Sequence, residues 1–169
     1  MKPTLRKAIP EVESSFVVRK DIGPKMKNNW HYHAECELLC IKRSSGIWLI
    51  GDYKGNFESC DVILLGSGTP HSYRHEDKYI GEEESEQGEA LVTLFSPDVV
   101  GESFLNLPES KEIKNLLELS KRGLKIKGNS REIIGMIMEE IQKAEKGRKL
   151  INLLNILQLI TEKKEYEIL

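Results

Sequence analysis

The stretch NNWHYHAECELL, residues 28–39, decides the fold. His31, His33, Glu35 and Glu37 occupy alternate positions in it. Alternation is the period of a β-strand, in which successive side chains point to opposite faces. In an extended chain these side chains share one face. If that face lines a barrel, two imidazoles and a carboxylate converge on a small space. Neutral imidazole and carboxylate are ligands for a first-row transition ion. Such an ion takes three or four donors, so one more has to come from another strand. His71 supplies it: it ends GSGTPH, residues 66–71, follows a Gly/Pro turn and opens the strand-like HSYRH. Tyr73 alternates with His71 and is expected to point inward, as a ligand contact or as a packed aromatic. Glu35 is expected at the rim or in a salt bridge.

Working outward, residues from about Ser15 to Ser96 are strand-like. SFVVRK, WHYHAECELLCIKR, GIWLIGD, DVILLG, HSYRH and EALVTLFS are short and rich in β-branched and aromatic residues. Clusters of Gly, Asn, Asp and Ser separate them, the pattern of a sandwich or barrel. The acidic stretch DKYIGEEESEQGE, residues 77–89, reads as a solvated hairpin loop. Cys36 and Cys40 have the opposite parity to the histidines and are expected between the barrel and whatever covers it. Trp30 shares that parity and is expected outside the barrel.

From Pro108 the period changes to that of helices. PESKEIKNLLELSKRG carries Ile113, Leu116, Leu117 and Leu119 and stops at Gly123, a natural residue for a helix end. NSREIIGMIMEEIQKAEKG opens with Asn129 and has Glu132 three positions later, a capping-box pattern. RKLINLLNILQLITEKK is the third helix. Between Leu150 and Ile160 its polar residues are Asn152, Asn155 and Gln158. A helix apolar around most of its circumference needs cover on more than one side. The expected cover is a second protomer, placing Leu153, Leu154, Ile156, Leu157 and Ile160 at a two-fold interface.

Composition narrows the function. The chain has 169 residues and a formal net charge of −2, so no global field draws it to nucleic acid or anionic lipid. No apolar run reaches the length of a membrane span, and the first fifteen residues lack a signal-peptide core. A cytoplasmic location is expected. Cys36, Cys40 and Cys60 have no CxxC spacing, which fits a reduced compartment better than a disulfide framework.

HYHAECE followed about thirty residues later by GSGTPH resembles the two motifs of the cupin barrel (a double-stranded β-helix or jelly roll). The resemblance implies metal ligation by His31, His33, Glu37 and His71, and one divalent ion such as Zn, Ni, Mn or Fe. Gly23 and Gly46 lie near where the family's glycines flank the first motif. Cys60 stands where the family has a glycine, Gly66 where it has a proline, and His75 where it has an asparagine. The order of blocks over nearly the whole chain is similar to the N-terminal sensory domain of AraC-type transcription regulators. This implies a mainly β chain with C-terminal α structure: a cupin barrel over residues 1–107 and a helical dimerisation segment, a hairpin packed on the barrel, over 108–169. A DNA-binding helix-turn-helix domain is expected after residue 169. The effector, a sugar or other small molecule, would be bound by His31, His33, Glu37, His71 and Tyr73, with no catalysis and DNA contacted through the missing domain. The competing reading is a small metal-dependent cupin enzyme, a dioxygenase or isomerase, with Glu35 or His75 as base. A structural storage cupin fits the single barrel and short strands less well.

Overall fold

The computed structural model describes residues 2–6, 15–23, 29–79 and 87–169. The acidic stretch after Tyr79 lies largely outside them. Two sheets face each other. The first runs in the order β1 (Thr4–Leu5), β3 (His31–Tyr32), β8 (His71–His75), β5 (Gly46–Ile50), β6 (Tyr53–Phe57). The second runs β11 (Tyr166–Ile168), β10 (Leu124–Ile126), β7 (Val62–Leu65), β4 (Cys36–Arg43), β9 (Glu89–Phe95), β2 (Phe16–Ile22). The helices are α1 (Glu102–Leu105), α2 (Lys111–Leu119), α3 (Gly128–Lys143) and α4 (Lys146–Lys163).

β4 makes this a three-layer molecule. Leu39 and Ile41 belong to the core between the sheets, with Trp48, Ile63, Tyr73 and Val92. Their neighbours Cys36, Leu38 and Cys40 belong to a second core, against Ile113, Leu116, Ile134, Met138 and the apolar face of α4. A strand buried on both faces reads as a near-continuous apolar run, as CELLCIKR does. Burial pushes the Cys36 and Cys40 thiols up to about 11, so both behave as small apolar groups.

Two departures from the sequence resemblance have local causes. Cys60 adopts a left-handed conformation, φ 71°, where a glycine is the unstrained choice. Gly66 donates its N–H to Ser120 O at 2.7 Å, which a proline cannot do. A Cβ there would lie 2.8 Å from the Lys121 Cα. The second-motif loop is thereby held against the end of α2, and Thr69 Oγ1 adds a hydrogen bond to Lys121 O at 3.0 Å.

Several expectations change. The single strand expected over residues 30–43 breaks after Tyr32, and its two parts join different sheets. The segment 108–169 is not wholly helical: β10 and β11 pair with each other, and β10 pairs with β7 of the barrel. A boundary at residue 107 therefore does not separate barrel from helices. Asn129 does not cap α3. That helix begins at Gly128, and Glu165, beyond α4, accepts the Ser130 N–H at 2.9 Å.

The expected dimer residues also need correction. Leu153, Ile156, Leu157 and Ile160 are at most 1% exposed within one chain, so they have no solvent to lose in an interface. α2, α3 and the second sheet already cover them. Leu154 is half-buried, and the outward face of α4 presents Ile151, Asn155 and Gln158.

Candidate functional site

The histidines meet where the two sheets converge. β3 pairs with β8 so that His31 lies directly opposite His71. The chain then turns at residues 33–35 and crosses to the other sheet, where Glu37 enters β4 opposite Leu65. Because the sheets face each other, Glu37 reaches the same space from the far side. His31, His33, Glu37, His71 and Tyr73 are all buried, none more than 5% exposed. The His31 and His71 ring centroids are 4.3 Å apart, and those of His33 and His71 5.0 Å.

The outer nitrogen of each ring faces a backbone carbonyl. His31 Nδ1 lies 2.7 Å from Asn29 O, His33 Nδ1 3.0 Å from Glu35 O, and His71 Nδ1 2.8 Å from Thr69 O. A carbonyl only accepts, so each Nδ1 carries hydrogen and each Nε2 lone pair is left for the interior. Metal-binding histidines are oriented in this way, with the second ring nitrogen held by a carbonyl or carboxylate.

Glu37 completes the cluster. Tyr73 donates its hydroxyl hydrogen to Glu37 Oε1 at 2.7 Å. Glu37 Oε2 lies 3.1 Å from His33 Nε2 and 3.5 Å from His71 Nε2. The longer contact is an ion-pair distance without a hydrogen bond, and His71 Nε2 is a buried atom with no hydrogen-bond partner among the described residues. Between His33 Nε2 and Glu37 Oε2 two lone-pair atoms approach, so a proton or a cation has to lie between them.

Electrostatics follows from burial and charge. Burial alone would push the Glu37 carboxyl up, but the charge of His71 and the hydrogen bond with His33 outweigh it and hold it well below the usual range. For His71 burial works downward, and the Glu37 charge overcomes it and raises the pKa. Burial, helped by repulsion from His71, lowers His31 to about 4, leaving it neutral near pH 7. Burial and the Glu37 charge push the Tyr73 hydroxyl well above its usual value, so it stays a donor.

One ligand atom each from His31, His33 and His71 lies within 4.8 Å of the others. Neighbouring nitrogens around a tetrahedral ion sit about 3.4 Å apart, so a small inward movement closes the triad on a metal. The donor chemistry fits a divalent transition ion: three imidazoles whose Nε2 atoms turn to one space, able to ligate when neutral, and an ionised carboxylate beside them. Glu35, expected at the rim, is half-buried, with Oε2 3.6 Å from His33 Nδ1. His75 lies elsewhere, at the other end of β8, with Nδ1 2.6 Å from Ser44 Oγ. Sequence reasoning missed the carbonyls of Asn29 and Thr69, which carry no side-chain signal.

No protein-family model and no curated protein matches the sequence. Solved structures match the fold. ToxT from Vibrio cholerae O395, solved bound to (E)-4-(8-methylnaphthalen-1-yl)but-3-enoic acid, matches with a TM-score of 0.50 and 14% identity over 90% of this chain and 58% of its own. The AraC-like transcriptional activator CuxR matches with a TM-score of 0.49 and 6% identity over 87% of this chain and 47% of its own. A Cupin 2 conserved barrel domain protein from Salinispora arenicola CNS-205 matches with a TM-score of 0.39 and 18% identity over 56% of this chain and 74% of its own. This chain thus spans 58% of ToxT, and what the whole of that protein does is no part of the match. The property shared with ToxT is the fold: two facing sheets with C-terminal helices packed behind one of them.

Proposed function

We propose that this chain is the ligand-sensing and dimerisation domain of an AraC-type transcription regulator, working in the cytoplasm beside a DNA-binding domain. The observation that carries this reading is the double role of β4. Glu37 stands in the histidine cluster, while Cys36 and Leu38 on either side of it pack into the helical layer. A ligand that moves Glu37 therefore acts on a strand whose other face supports α2, α3 and α4. To regulate, it has to favour one arrangement of those helices over another, and coupling of this kind is typically about 1–3 kcal/mol.

The effector is a small polar molecule, a sugar or an organic acid, bound by His31, His33, Glu37, His71 and Tyr73. A Zn, Ni, Mn or Fe ion on the three histidines and Glu37 would give it a charged anchor. The dimer forms through the outward faces of α3 and α4, where Met136 and Ile151 are 60% and 50% exposed. The competing reading, a small metal-dependent enzyme, is favoured by the unpartnered His71 Nε2, which suits an ion with an open position.

A thermal-shift screen of sugars and small carboxylic acids, with and without Mn(II) or Fe(II), followed by product analysis of each hit, separates the two. A hit that stabilises the protein and is recovered unchanged supports the sensor. A hit that is oxidised or isomerised, and is untouched by His71→Ala protein, overturns it in favour of the enzyme.

A further inference from the structure

We infer that Cys40 and Cys60 are a redox pair, which a peroxide joins as a reversible disulfide on the helix-facing side of the second sheet. The inference is independent of the function proposed above. Thiols that pair in reducing surroundings do so transiently, as redox sensors, and such a bond is not a structural one.

Backbone geometry brings the two together. Cys40 of β4 lies opposite Val62 of β7. One residue further along β4, Ile41 N donates to Asp61 O at 2.9 Å, and Ile41 O accepts from Cys60 N at 2.7 Å. Cys60 and Asp61 therefore face Ile41 together, as a β-bulge, with Cys60 at the left-handed position, φ 71°. Cys40 and Cys60 are thus diagonal neighbours across the strands. Diagonal Cα atoms lie about 7–8 Å apart and a disulfide holds them at about 4.4–6.8 Å, so the turn has to close by about 1–2 Å. Glu58, Ser59 and Cys60 are exposed, so no buried side chain opposes that movement. Cys36, four residues earlier on β4 and about 13 Å from Cys40, is out of reach.

Access and charge give the two thiols different roles. Cys60 is exposed, whereas Cys40 is 2% exposed. Hydrogen peroxide therefore meets Cys60 first, transfers one oxygen to its sulfur to give a sulfenic acid, and leaves as water. The Cys40 sulfur then attacks the Cys60 sulfur. The S–S bond forms, the S–O bond breaks, and the oxygen departs as water with the Cys40 proton. In sum, two thiols and one hydrogen peroxide give one disulfide and two waters. The Lys42 ammonium interacts with both thiols, and the thiols with each other. Its charge favours the Cys40 thiolate that burial disfavours. Lys42 is ion-paired with Glu139 of α3, and a Cβ on Gly135 of α3 would lie 3.6 Å from Cys40 Sγ. Turning that sulfur toward Cys60 withdraws it from the helix.

The test treats the folded chain with one equivalent of hydrogen peroxide, then reads intact mass and peptide maps without reductant. The expected product is about 2 Da lighter, contains a Cys40–Cys60 linked peptide, and returns to the starting mass in dithiothreitol. Cys36→Ala should react as the wild type does. Cys60→Ser, at an exposed position, should give no link. Cys40→Ala should stop at the Cys60 sulfenic acid, captured by dimedone. An unchanged mass, a Cys60 that carries oxygen beside a free Cys40 thiol, a link that contains Cys36 or joins two chains, or a link that forms only in urea would each overturn the inference.

Discussion

Replacing Glu37 tests whether the cluster is held together as its geometry implies. The carboxylate is 1% exposed, accepts the Tyr73 hydroxyl at 2.7 Å, and lies 3.1 Å from His33 Nε2 and 3.5 Å from His71 Nε2. Glu37→Leu keeps the bulk and removes every one of these contacts. Leaving a buried donor without a partner costs about 1–3 kcal/mol, and removing one member of a buried charge pair about 3–5 kcal/mol. Burying an apolar side chain instead returns about 1.5–3 kcal/mol. The net loss is about 4 kcal/mol. At roughly 2–4 °C per kcal/mol for a chain of this length, Tm falls by about 8–16 °C. Glu37→Gln is the control. Its oxygen still accepts from Tyr73, but the neutral amide removes the charge facing His71, so it isolates the charge contribution, expected at about 3 kcal/mol. Differential scanning fluorimetry of the metal-free proteins, checked by urea unfolding, reads both. If Glu37→Leu melts within a degree of the wild type, the carboxylate does not hold the cluster. If Glu37→Gln melts within a degree of the wild type, the charge facing His71 contributes nothing.

Metal affinity should rise with pH, because the raised pKa of His71 makes its proton the competitor, whereas His31, held at about 4, is already neutral. One displaced proton gives about a tenfold gain per pH unit up to the His71 pKa, and calorimetric Mn(II) or Zn(II) titrations between pH 6 and 8 should show it; a flat profile refutes it. On α4, Leu157→Glu should unfold the monomer at a cost of several kcal/mol, since its site is 1% exposed. Ile151→Lys, at a 50% exposed position, should leave Tm within about 2 °C and shift sedimentation toward monomer; unchanged sedimentation refutes the dimer face. Cys60→Gly should stabilise by about 0.5–1 kcal/mol by relieving a left-handed conformation at φ 71°, while Gly66→Pro should destabilise by removing the hydrogen bond to Ser120 O; equal melting of either variant and wild type counts against the corresponding argument.

The sequence by itself determined much of the cluster and the type of each layer. Alternation between residues 31 and 37 put His31, His33, Glu35 and Glu37 on one expected face, the resemblance to the cupin motif chose Glu37, and the Gly/Pro turn pointed to His71. Parity also assigned Cys36 and Cys40 to the helix-facing core, where they lie. The parity of Cys36 and Cys40 is legible because side-chain period is a local property of an extended strand such as β4. Tertiary structure decided what local pattern does not carry. The chain breaks between Tyr32 and Cys36, and Glu37 reaches the histidines because two sheets face each other rather than because one strand continues. β6, β10 and β11 are short and weakly patterned, and pairing with β5 and β7 makes them strands. α3 is capped by Glu165, a partner thirty-five residues from Ser130 that no capping motif encodes. The apolar residues of α4 were legible, but not what covers them. Amphipathic sequence specifies that a face is buried, whereas the three-dimensional arrangement of α2, α3 and the second sheet specifies by what.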